Sequence, residues 1–337
     1  MNSRPFGRSG LEVTELCLGT MTFGVQADQS ASFAIMDRAW EGGIRFLDTA
    51  DVYPVPMLAE TQGETERIIG RWLHERGRRD GTVLATKAYF PTGPEPHQRG
   101  LSRRHLLEAC DASLRRLGTD WIDLYLCHGW DARVPIEETL QALEELQRAG
   151  KIRCTAISNV RTHEAAVALV AARDLGVPGF SGLQPRYNLL FREAEESLLP
   201  LAERFGLGVM VYNPLAGGLL SGRYRSDTAP TTGRFTLGDT GVTYRRRYWN
   251  EANLAGARRA ADLAAEHGIH PVTAAIAWVL DRPAISSVIV GASRPEQLEA
   301  SLVTPGRALP ETLMAALDQI WFELPQQSPS LDSPRLP

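Results

Sequence analysis

The sequence predicts one α/β domain over residues 1–322, a (β/α)8 TIM barrel preceded by an N-terminal hairpin. Short apolar runs typical of buried strands alternate with helix-like segments eight times, and no linker or shift of composition divides them. Polar residues directly follow five of the apolar runs, at the end of a barrel where enzymes of this fold carry their active sites. The main alternative, an open doubly wound sheet holding a dinucleotide, would require GxGxxG after its first strand, and the sequence has no such match.

The first half of the chain follows this alternation closely. Residues 4–14, with Gly7 and Gly10 between short stretches, predict the hairpin. Ser102 is a typical helix cap, and Pro135 and Gly150 bracket a later helix. The predicted strands cover 16–19, 44–48, 82–87, 121–128 and 152–158, and the predicted helices cover 31–41, 66–76, 102–117 and 135–149.

The second half repeats the pattern with a long insertion after strand seven. Residues 213–250 are rich in Gly, Pro and Arg and are predicted to be an irregular loop. The predicted strands cover 182–184, 208–212 and 287–290, and the predicted helices cover 163–174, 193–205, 251–267, 272–281, a segment from Pro295, and 310–322. The last two helices are additions to the barrel, and the Pro- and Ser-rich residues 323–337 are expected to be a disordered tail.

Composition and charge exclude several classes of function. The 337 residues are 43% hydrophobic and 23% charged, as in soluble globular proteins, and the net charge of −4 favours neither nucleic acid nor anionic membranes as a partner. No apolar run is long enough to span a membrane, and the first ten residues are too polar for a signal peptide. The four cysteines lack CxxC spacing, which indicates free thiols and a cytoplasmic location. The sequence leaves the oligomeric state open.

Four residues form the candidate reaction centre. Asp48, Lys87 and His128 each end a short apolar run, and Tyr53 follows Asp48 by five positions. A phenol is a weak acid with a pKa of about 10, so a nearby ammonium held by a carboxylate would lower that pKa, while a neutral imidazole could polarise a carbonyl. Taken singly, these residues could be a solvated turn aspartate, a surface lysine, a core histidine and a packing aromatic. A metal site from Asp48, His128 and Asp131 is less favoured, because no HxH or HxxxH spacing exists.

Motifs along the chain resemble the aldo-keto reductase superfamily over residues 4–303. In chain order they are LGTMTFG, FLDTADVY, the ATK that ends at Lys87, DLYLCHGWD around His128, GKIRCTAISN, QPRYNLLFR, YNPLAGGLLSGRY and VIVGASRPEQL. The 212–251 region is similar to the aflatoxin-aldehyde reductase branch, and residues 53–63 resemble bacterial aldo/keto reductases. Any one motif is weak, but the ordered set is specific.

The resemblance implies a fold, a reaction and the roles of four residues. The expected fold is the same barrel, and the expected reaction is reduction of an aldehyde or ketone, with Tyr53 as proton donor and Asp48, Lys87 and His128 completing the catalytic set. The alternatives are a pathway-specific reductase of a keto-sugar or a natural-product carbonyl, and a cofactor-binding regulatory subunit of a potassium channel. Those subunits generally lack the histidine that His128 provides.

The hydride source is expected to be a nicotinamide, since no motif indicates a flavin or a metal. Amide and hydroxyl groups of Ser158, Asn159 and Gln184 suit the carboxamide, and Arg294 before a helix start suits the 2′-phosphate, which favours NADPH over NADH. Ala156, Ala300 and Ser301 depart from the residues usual in the family. The full expected cofactor set is Gly19, Thr20, Met21, Asp48, Ser158, Asn159, Gln184, Tyr212, Asn213, Pro214, Leu215, Gly217, Gly218, Leu219, Gly222, Arg223, Val290, Gly291, Ser293, Arg294 and Gln297.

The substrate pocket is expected to be apolar. Phe23, Tyr89 and Trp130 are the predicted substrate residues, joined by the loop at 54–63 and the aromatics of 244–249. This set predicts a bulky neutral aldehyde or ketone. The three arginines at 245–247 could favour a carboxylate or phosphate if one turned inward, but consecutive arginines in an irregular segment are expected to reach water.

Overall fold

Eight parallel strands close into a barrel, which confirms the predicted fold. The computed structural model describes residues 1–224, 230, 231 and 233–325. An antiparallel hairpin of β1 (Ser3–Pro5) and β2 (Glu12–Thr14) precedes the barrel. The barrel strands are β3 (Leu16–Gly19), β4 (Phe46–Asp48), β5 (Val83–Ala88), β6 (Ile122–Cys127), β7 (Ile152–Ser158), β8 (Gly182–Gln184), β9 (Gly208–Val211) and β10 (Ser287–Gly291). They pair in chain order, and β10 pairs with β3 to close the ring.

Helices alternate with the strands, as the cap signals predict. The Ser102 side chain accepts a hydrogen bond from the His105 backbone N–H, and Gly118 ends that helix with a positive φ of 63°. No helix among the described residues is long and apolar enough to cross a membrane. The helices are α1 (Gln29–Glu41), α2 (Glu64–Arg76), α3 (Arg103–Leu117), α4 (Ile136–Arg148), α5 (Thr162–Leu175), α6 (Leu198–Phe205), α7 (Gly238–Tyr248), α8 (Glu251–Glu266), α9 (Pro271–Leu280), α10 (Glu299–Leu302) and α11 (Glu311–Glu323).

Two predicted segments differ from the structure. The helix predicted over 193–205 is divided into a 3-10 turn at Glu193–Glu195 and α6. The irregular loop predicted over 213–250 contains 3-10 turns at Ala216–Ser221 and Arg234–Thr236 and the whole of α7, so that prediction is wrong for these residues.

Helical spacing explains why α7 forms in a stretch rich in glycine and arginine. Gly241, Tyr244 and Tyr248 are three, four and seven residues apart and form its buried face, while Arg245 and Arg246 are exposed, the Arg245 guanidinium also donating to the Phe235 carbonyl. The expectation that all three arginines at 245–247 reach water thus holds for Arg245 and Arg246, whereas Arg247 is half-buried and its Nε is inaccessible to solvent. Residues 225–229 and 232 of the predicted loop, and 326–337 of the predicted tail, lie outside the described part of the chain.

The N-terminal hairpin closes the bottom of the barrel with the ring of Phe6. Phe6 is fully buried and clusters with the residues that fill the barrel interior. A Cβ at Gly182 or Gly208 would lie within 2.5 Å of that ring, so glycine at the start of β8 and β9 makes room for it. The four cysteines are free and buried, as expected.

Strand register gathers the predicted site residues at the opposite end. Gly19 pairs with Asp48, Asp48 pairs with Ala85, and Ser158 pairs with Gln184. Because all eight strands run parallel, the residues that follow their carboxyl ends share one mouth. Phe6 thus closes one end of the barrel, and polar residues line the other end, at the carboxyl termini of the strands.

The Phe6 plug gives a stability prediction. Phe6→Ala should lower the free energy of unfolding by about 3–5 kcal/mol, since it removes buried apolar surface and leaves a cavity beneath β8 and β9. Phe205→Ala is the matched control, because that ring is 53% exposed, and it should cost no more than about 0.5 kcal/mol. Urea unfolding of both variants measures the difference. Equal losses would show that Phe6 does not plug the barrel.

Candidate active site

A buried ion pair between Asp48 and Lys87 lies at the centre of the mouth. Lys87 Nζ donates to Asp48 Oδ2 at 2.6 Å and to the Thr49 carbonyl at 2.7 Å, and the Lys87 side chain is fully buried. The second carboxylate oxygen, Asp48 Oδ1, accepts from Gln184 Nε2 at 2.8 Å. A buried pair persists only when its remaining polar atoms are also satisfied, and here both carboxylate oxygens are. The pair therefore ties together β4, β5 and the far side of the barrel at β8.

Tyr53 lies beside this pair with its phenol protonated. Lys87 Nζ is 5.3 Å from the centroid of the half-buried Tyr53 ring. Burial raises the pKa of the phenol well above 10, and the Asp48 carboxylate raises it further. The sequence predicted the opposite direction, with the Lys87 charge lowering this pKa. That expectation is wrong for the structure as it stands, because burial and then the nearby Asp48 carboxylate both disfavour the phenolate.

His128 faces Tyr53 as a neutral imidazole. Burial lowers the pKa of His128 well below 6.5, and the positive charge of Lys87 lowers it further. Its ring makes edge contacts with Tyr53, at 5.9 Å between centroids, and with Phe90, at 4.9 Å. Nδ1 is buried and makes no hydrogen bond to any described residue. The imidazole is thus fixed by its ring contacts and holds one proton at neutral pH.

An amide cluster follows on β7, β8 and β9. Asn159 Nδ2 donates to the His128 carbonyl at 2.9 Å, and Asn159 Oδ1 accepts from the Tyr212 hydroxyl at 2.8 Å. Ser158 Oγ donates to the Gln184 carbonyl at 2.9 Å and lies 3.4 Å from Gln184 Oε1. Each amide keeps a lone pair or an N–H beyond these bonds. The cluster could therefore bind a carboxamide without losing its own contacts.

The segment after β9 forms a glycine cradle. Gly217, Gly218 and Gly222 have φ values of 71°, 99° and 79°, a region that side-chain-bearing residues rarely adopt. A Cβ at Gly217 would lie 2.7 Å from the Tyr244 ring, so the backbone approaches α7 closely there. Asn213 Oδ1 accepts from the Gly217 backbone N–H at 3.0 Å and braces the turn. Such a turn presents N–H groups that suit a pyrophosphate.

The end of β10 presents a second anion-binding feature. Gly291 and Arg294 are exposed, and Arg294 directly precedes the 3-10 turn Pro295–Leu298, which leads into α10. Ser293 donates its backbone N–H to Gln297 Oε1 at 2.8 Å, which fixes this turn. The continuous α-helix predicted from Pro295 thus begins with a 3-10 turn. Arg294 remains available to a phosphate on the outer edge of the mouth.

The remaining predicted cofactor residues lie on the same strand ends. Pro214, Leu219 and Val290 are buried, so they can contribute only backbone groups. The others are Gly19, Thr20 and Met21 at the end of β3, Asn213, Leu215 and Arg223 in the segment after β9, and Gln297. In the closed ring β7, β8, β9, β10 and β3 are consecutive neighbours. The predicted cofactor residues therefore occupy one continuous arc, beside the catalytic residues after β4, β5 and β6.

The predicted substrate residues divide into two groups. Trp130 is partly exposed beside His128, as a pocket wall requires. Phe23 and Tyr89 are 0% and 1% exposed and belong to the core, and the Tyr89 hydroxyl donates to the Trp130 carbonyl at 3.0 Å. Neither residue lines the pocket, and only Tyr89 supports the Trp130 backbone from behind. Phe90, which the sequence reasoning missed, contacts the His128 ring in their place.

Arg234 is a second residue that the sequence reasoning missed. Its guanidinium carbon lies 5.5 Å from the centroid of the Tyr244 ring, and its charge favours the Tyr53 phenolate against the larger effect of burial on the pKa. Arg234 Nη1 is buried and makes no hydrogen bond to any residue in the described ranges. No local pattern identifies this arginine, because the 3-10 turn and α7 bring it to the mouth from 181 positions beyond Tyr53.

The carboxylate and imidazole groups do not form a metal-binding cluster in the part of the chain that the structure describes. The Asp131 carboxylate, weighed as a metal ligand, accepts instead from the Leu101 backbone N–H at 3.0 Å and from Arg133.

Comparison with known proteins adds to this geometry. The sequence model of the aldo/keto reductase family matches residues 15–321. An uncharacterized oxidoreductase, YrpG, of Bacillus subtilis is 38% identical over 325 residues, which cover 94% of each chain. A probable voltage-gated potassium channel subunit beta of Arabidopsis thaliana is 34% identical, over 90% of each chain. The L-glyceraldehyde 3-phosphate reductase of Escherichia coli is 32% identical, over 90% of this chain and 87% of its own.

Proposed function

The chain belongs to the aldo/keto reductase family of oxidoreductases, and we propose that it reduces an aldehyde or ketone to an alcohol with NADPH. The observation that carries the proposal is the meeting of a protonated phenol, a neutral imidazole and a buried ammonium–carboxylate pair at one mouth. These are the groups that protonation of a carbonyl oxygen requires. Bound NADPH supplies the hydride that reaches the carbonyl carbon.

The side chains would share the proton chemistry among them. The neutral His128 imidazole donates a ring N–H to the carbonyl oxygen and orients it as negative charge develops there. The Tyr53 phenol then gives its proton to that oxygen and is left as a phenolate. Lys87 stabilises the phenolate, and Asp48 keeps the ammonium in place. The raised pKa of free Tyr53 ensures that a proton is present to be given.

Residues at the ends of β7, β8, β9, β10 and β3 would bind three parts of the proposed cofactor. Ser158, Asn159 and Gln184 would hold the carboxamide through the hydrogen-bonding capacity that their mutual contacts leave. The glycine cradle would bind the pyrophosphate through backbone N–H groups. Arg294 would bind the 2′-phosphate, a group that NADH lacks.

The proposed substrate is a bulky neutral aldehyde or ketone. Phe90 and Tyr53 contact the His128 ring with apolar surface, and the partly exposed Trp130 follows His128 by two positions. Met57 and Leu58, on the loop at 54–63, are exposed and extend that surface outward. Aromatic and aliphatic walls suit a ring-containing carbonyl.

Arg234 favours a second candidate, a small aldehyde that carries a carboxylate or phosphate. Its buried Nη1 makes no hydrogen bond to the described residues, and an anionic substrate group would provide one. The name of the Escherichia coli relative, L-glyceraldehyde 3-phosphate reductase, is that of an enzyme for an anionic aldehyde. The two candidate substrates share a reacting carbonyl and differ in the group attached to it, which is bulky and neutral in the first and carries a carboxylate or phosphate in the second.

Removal of the phenol oxygen tests the proton donor. Tyr53→Phe should lower kcat by about 100-fold or more, the usual contribution of a general acid, with NADPH affinity unchanged. Tyr125→Phe is the matched control, because it removes a buried hydroxyl that bonds the Leu106 carbonyl on the outer side of β6, and it should keep kcat. Steady-state kinetics and a fluorescence titration with NADPH supply the two values. If Tyr53→Phe keeps more than about 5% of kcat, another acid protonates the product.

Cofactor preference is tested at Arg294. Arg294→Ala should raise the KM for NADPH about tenfold to a hundredfold and leave the KM for NADH nearly unchanged, because a charged contact to phosphate contributes about 1.5–3 kcal/mol. Arg148→Ala, which removes an exposed arginine of α4, should change neither constant. An equal rise for both cofactors would mean that Arg294 does not recognise the 2′-phosphate.

Substrate class is tested by comparing an aromatic aldehyde with succinic semialdehyde. We expect the aromatic aldehyde to have the higher kcat/KM, and Arg234→Ala to leave its value within about twofold, since an apolar wall recognises it. The exposed Arg246→Ala serves as the control. A preference of about tenfold or more for the acid, lost in Arg234→Ala but kept in Arg246→Ala, would overturn the neutral substrate and establish the anionic one.

A further inference from the structure

Glu66 carries a buried carboxylate that the proposed reaction does not use. It lies in the first turn of α2 and is fully buried. Its Oε1 accepts from Thr86 Oγ1 and its Oε2 accepts from Arg116 Nε, both at 2.6 Å. Because a buried carboxylate is costly unless it is paired and hydrogen-bonded, these two contacts fix where it lies. Glu66 thus joins the start of α2 to β5 on one side and to α3 on the other.

The contact with Thr86 reaches the strand that carries Lys87. Thr86 is fully buried and directly precedes Lys87 in β5. Successive side chains of a strand point to opposite faces, so the Thr86 hydroxyl meets α2 outside the barrel while Lys87 Nζ meets Asp48 inside it. Glu66 therefore holds, from behind, the backbone that presents the ammonium to the mouth.

The contact with Arg116 reaches the backbone that carries the phenol. The Arg116 side chain packs on Gly63, the residue before α2, so closely that a Cβ there would lie 2.6 Å from Arg116 Cδ. Gly63 has a φ of 75°, and its N–H donates to the Tyr53 carbonyl at 2.9 Å. The Thr65 hydroxyl further fixes this turn by donating to the Phe23 carbonyl at 2.7 Å. The backbone of Tyr53 is therefore attached to the start of α2.

We propose that Glu66 is a positioning residue, which sets the Tyr53 phenol relative to the Lys87 ammonium. Its bridge from Thr86 to Arg116 gives the strand that carries the ammonium and the turn that holds the phenol one common support. Small misplacements of reacting groups are costly, so the loss of this support should lower the rate of the reaction and leave cofactor binding unchanged. The proposal rests on the proposed function, in which Tyr53 donates the proton and Lys87 stabilises the phenolate.

Kinetics of three substitutions test the bridge. Thr86→Val keeps the shape of the side chain but removes the hydroxyl, and it should lower kcat about tenfold with the KM for NADPH unchanged. Thr86→Ser keeps the hydroxyl and should retain kcat within about threefold of that of the natural chain. Glu66→Gln should do the same, because its amide can donate to the Thr86 oxygen while its carbonyl accepts from Arg116.

Thr82→Val is the matched control for the loss of a buried hydroxyl. Thr82 directly precedes β5 at the opposite end from Lys87, is buried, and donates its hydroxyl to the Arg78 carbonyl at 2.8 Å. The substitution removes a comparable hydrogen bond without touching Glu66, so kcat should stay within about twofold of that of the natural chain. The proposal is overturned if Thr82→Val and Thr86→Val lose kcat equally, or if Thr86→Val loses none.

Fluorine NMR reads the position of the phenol without any substrate. In a chain labelled with 3-fluorotyrosine, the Tyr53 resonance is the one that disappears in Tyr53→Phe. Its chemical shift depends on the charges and rings around the phenol, so Thr86→Val should move it by more than its line width. Thr82→Val should leave it at the position that it has in the natural chain, because a loss of stability alone does not change the surroundings of the folded phenol.

The two measurements separate this inference from the proposed function. If the natural chain reduces no aldehyde tested, the proposed function fails, and the Tyr53 resonance alone decides whether Glu66 positions the phenol. A resonance that stays in place in Thr86→Val, or that moves equally in Thr82→Val, overturns the proposal. A loss of kcat in Thr86→Val with an unmoved resonance also overturns it, because the bridge would then act on the rate by another route.

Discussion

The ion pair between Asp48 and Lys87 is the interaction on which the rest of the mouth depends. Taking two charges out of water is costly, and breaking such a pair by removing one partner typically costs about 3–5 kcal/mol. The barrel meets that requirement from several strands, because the carboxylate accepts from Gln184 of β8 and the ammonium donates to the Thr49 carbonyl after β4. The pair therefore needs a closed barrel, and it fixes where Tyr53 and His128 can lie.

The charge states of the neighbours follow from that pair. Burial has the largest effect on both Tyr53 and His128: it raises the pKa of the phenol, as the Asp48 carboxylate also does, and it lowers that of the imidazole, as the Lys87 charge also does. Both groups are thus neutral and each carries one proton before a substrate arrives. Sequence reasoning assigned the correct neutral state to His128 but the wrong direction of the pKa shift to Tyr53, because a residue list does not show how strongly burial and the Asp48 carboxylate act on the phenol.

The strands and their polar ends could be predicted because both signals are local. Apolar runs mark the strands, and the register of parallel strands then brings Asp48, Lys87 and His128 together. Features set by long-range packing could not be predicted. Which of Tyr89 and Phe90 faces the mouth depends on how the chain turns after β5, and Arg234 reaches it only because α7 buries Tyr244 and Tyr248. The residue types alone do not specify which of the two neighbouring aromatic rings faces the mouth, and they do not specify that a distant arginine reaches it.

Asp48 and Asp51 show how completely the environment decides the behaviour of one residue type. They are three positions apart in one segment and nearly equally buried. The Asp48 side chain forms an ion pair with the Lys87 ammonium and accepts a second hydrogen bond from the Gln184 amide. For Asp51, burial and then the Glu66 carboxylate raise the pKa of the carboxyl well above its ordinary value. One short segment thus carries a carboxylate that a cation stabilises and a second carboxyl whose charge its surroundings disfavour.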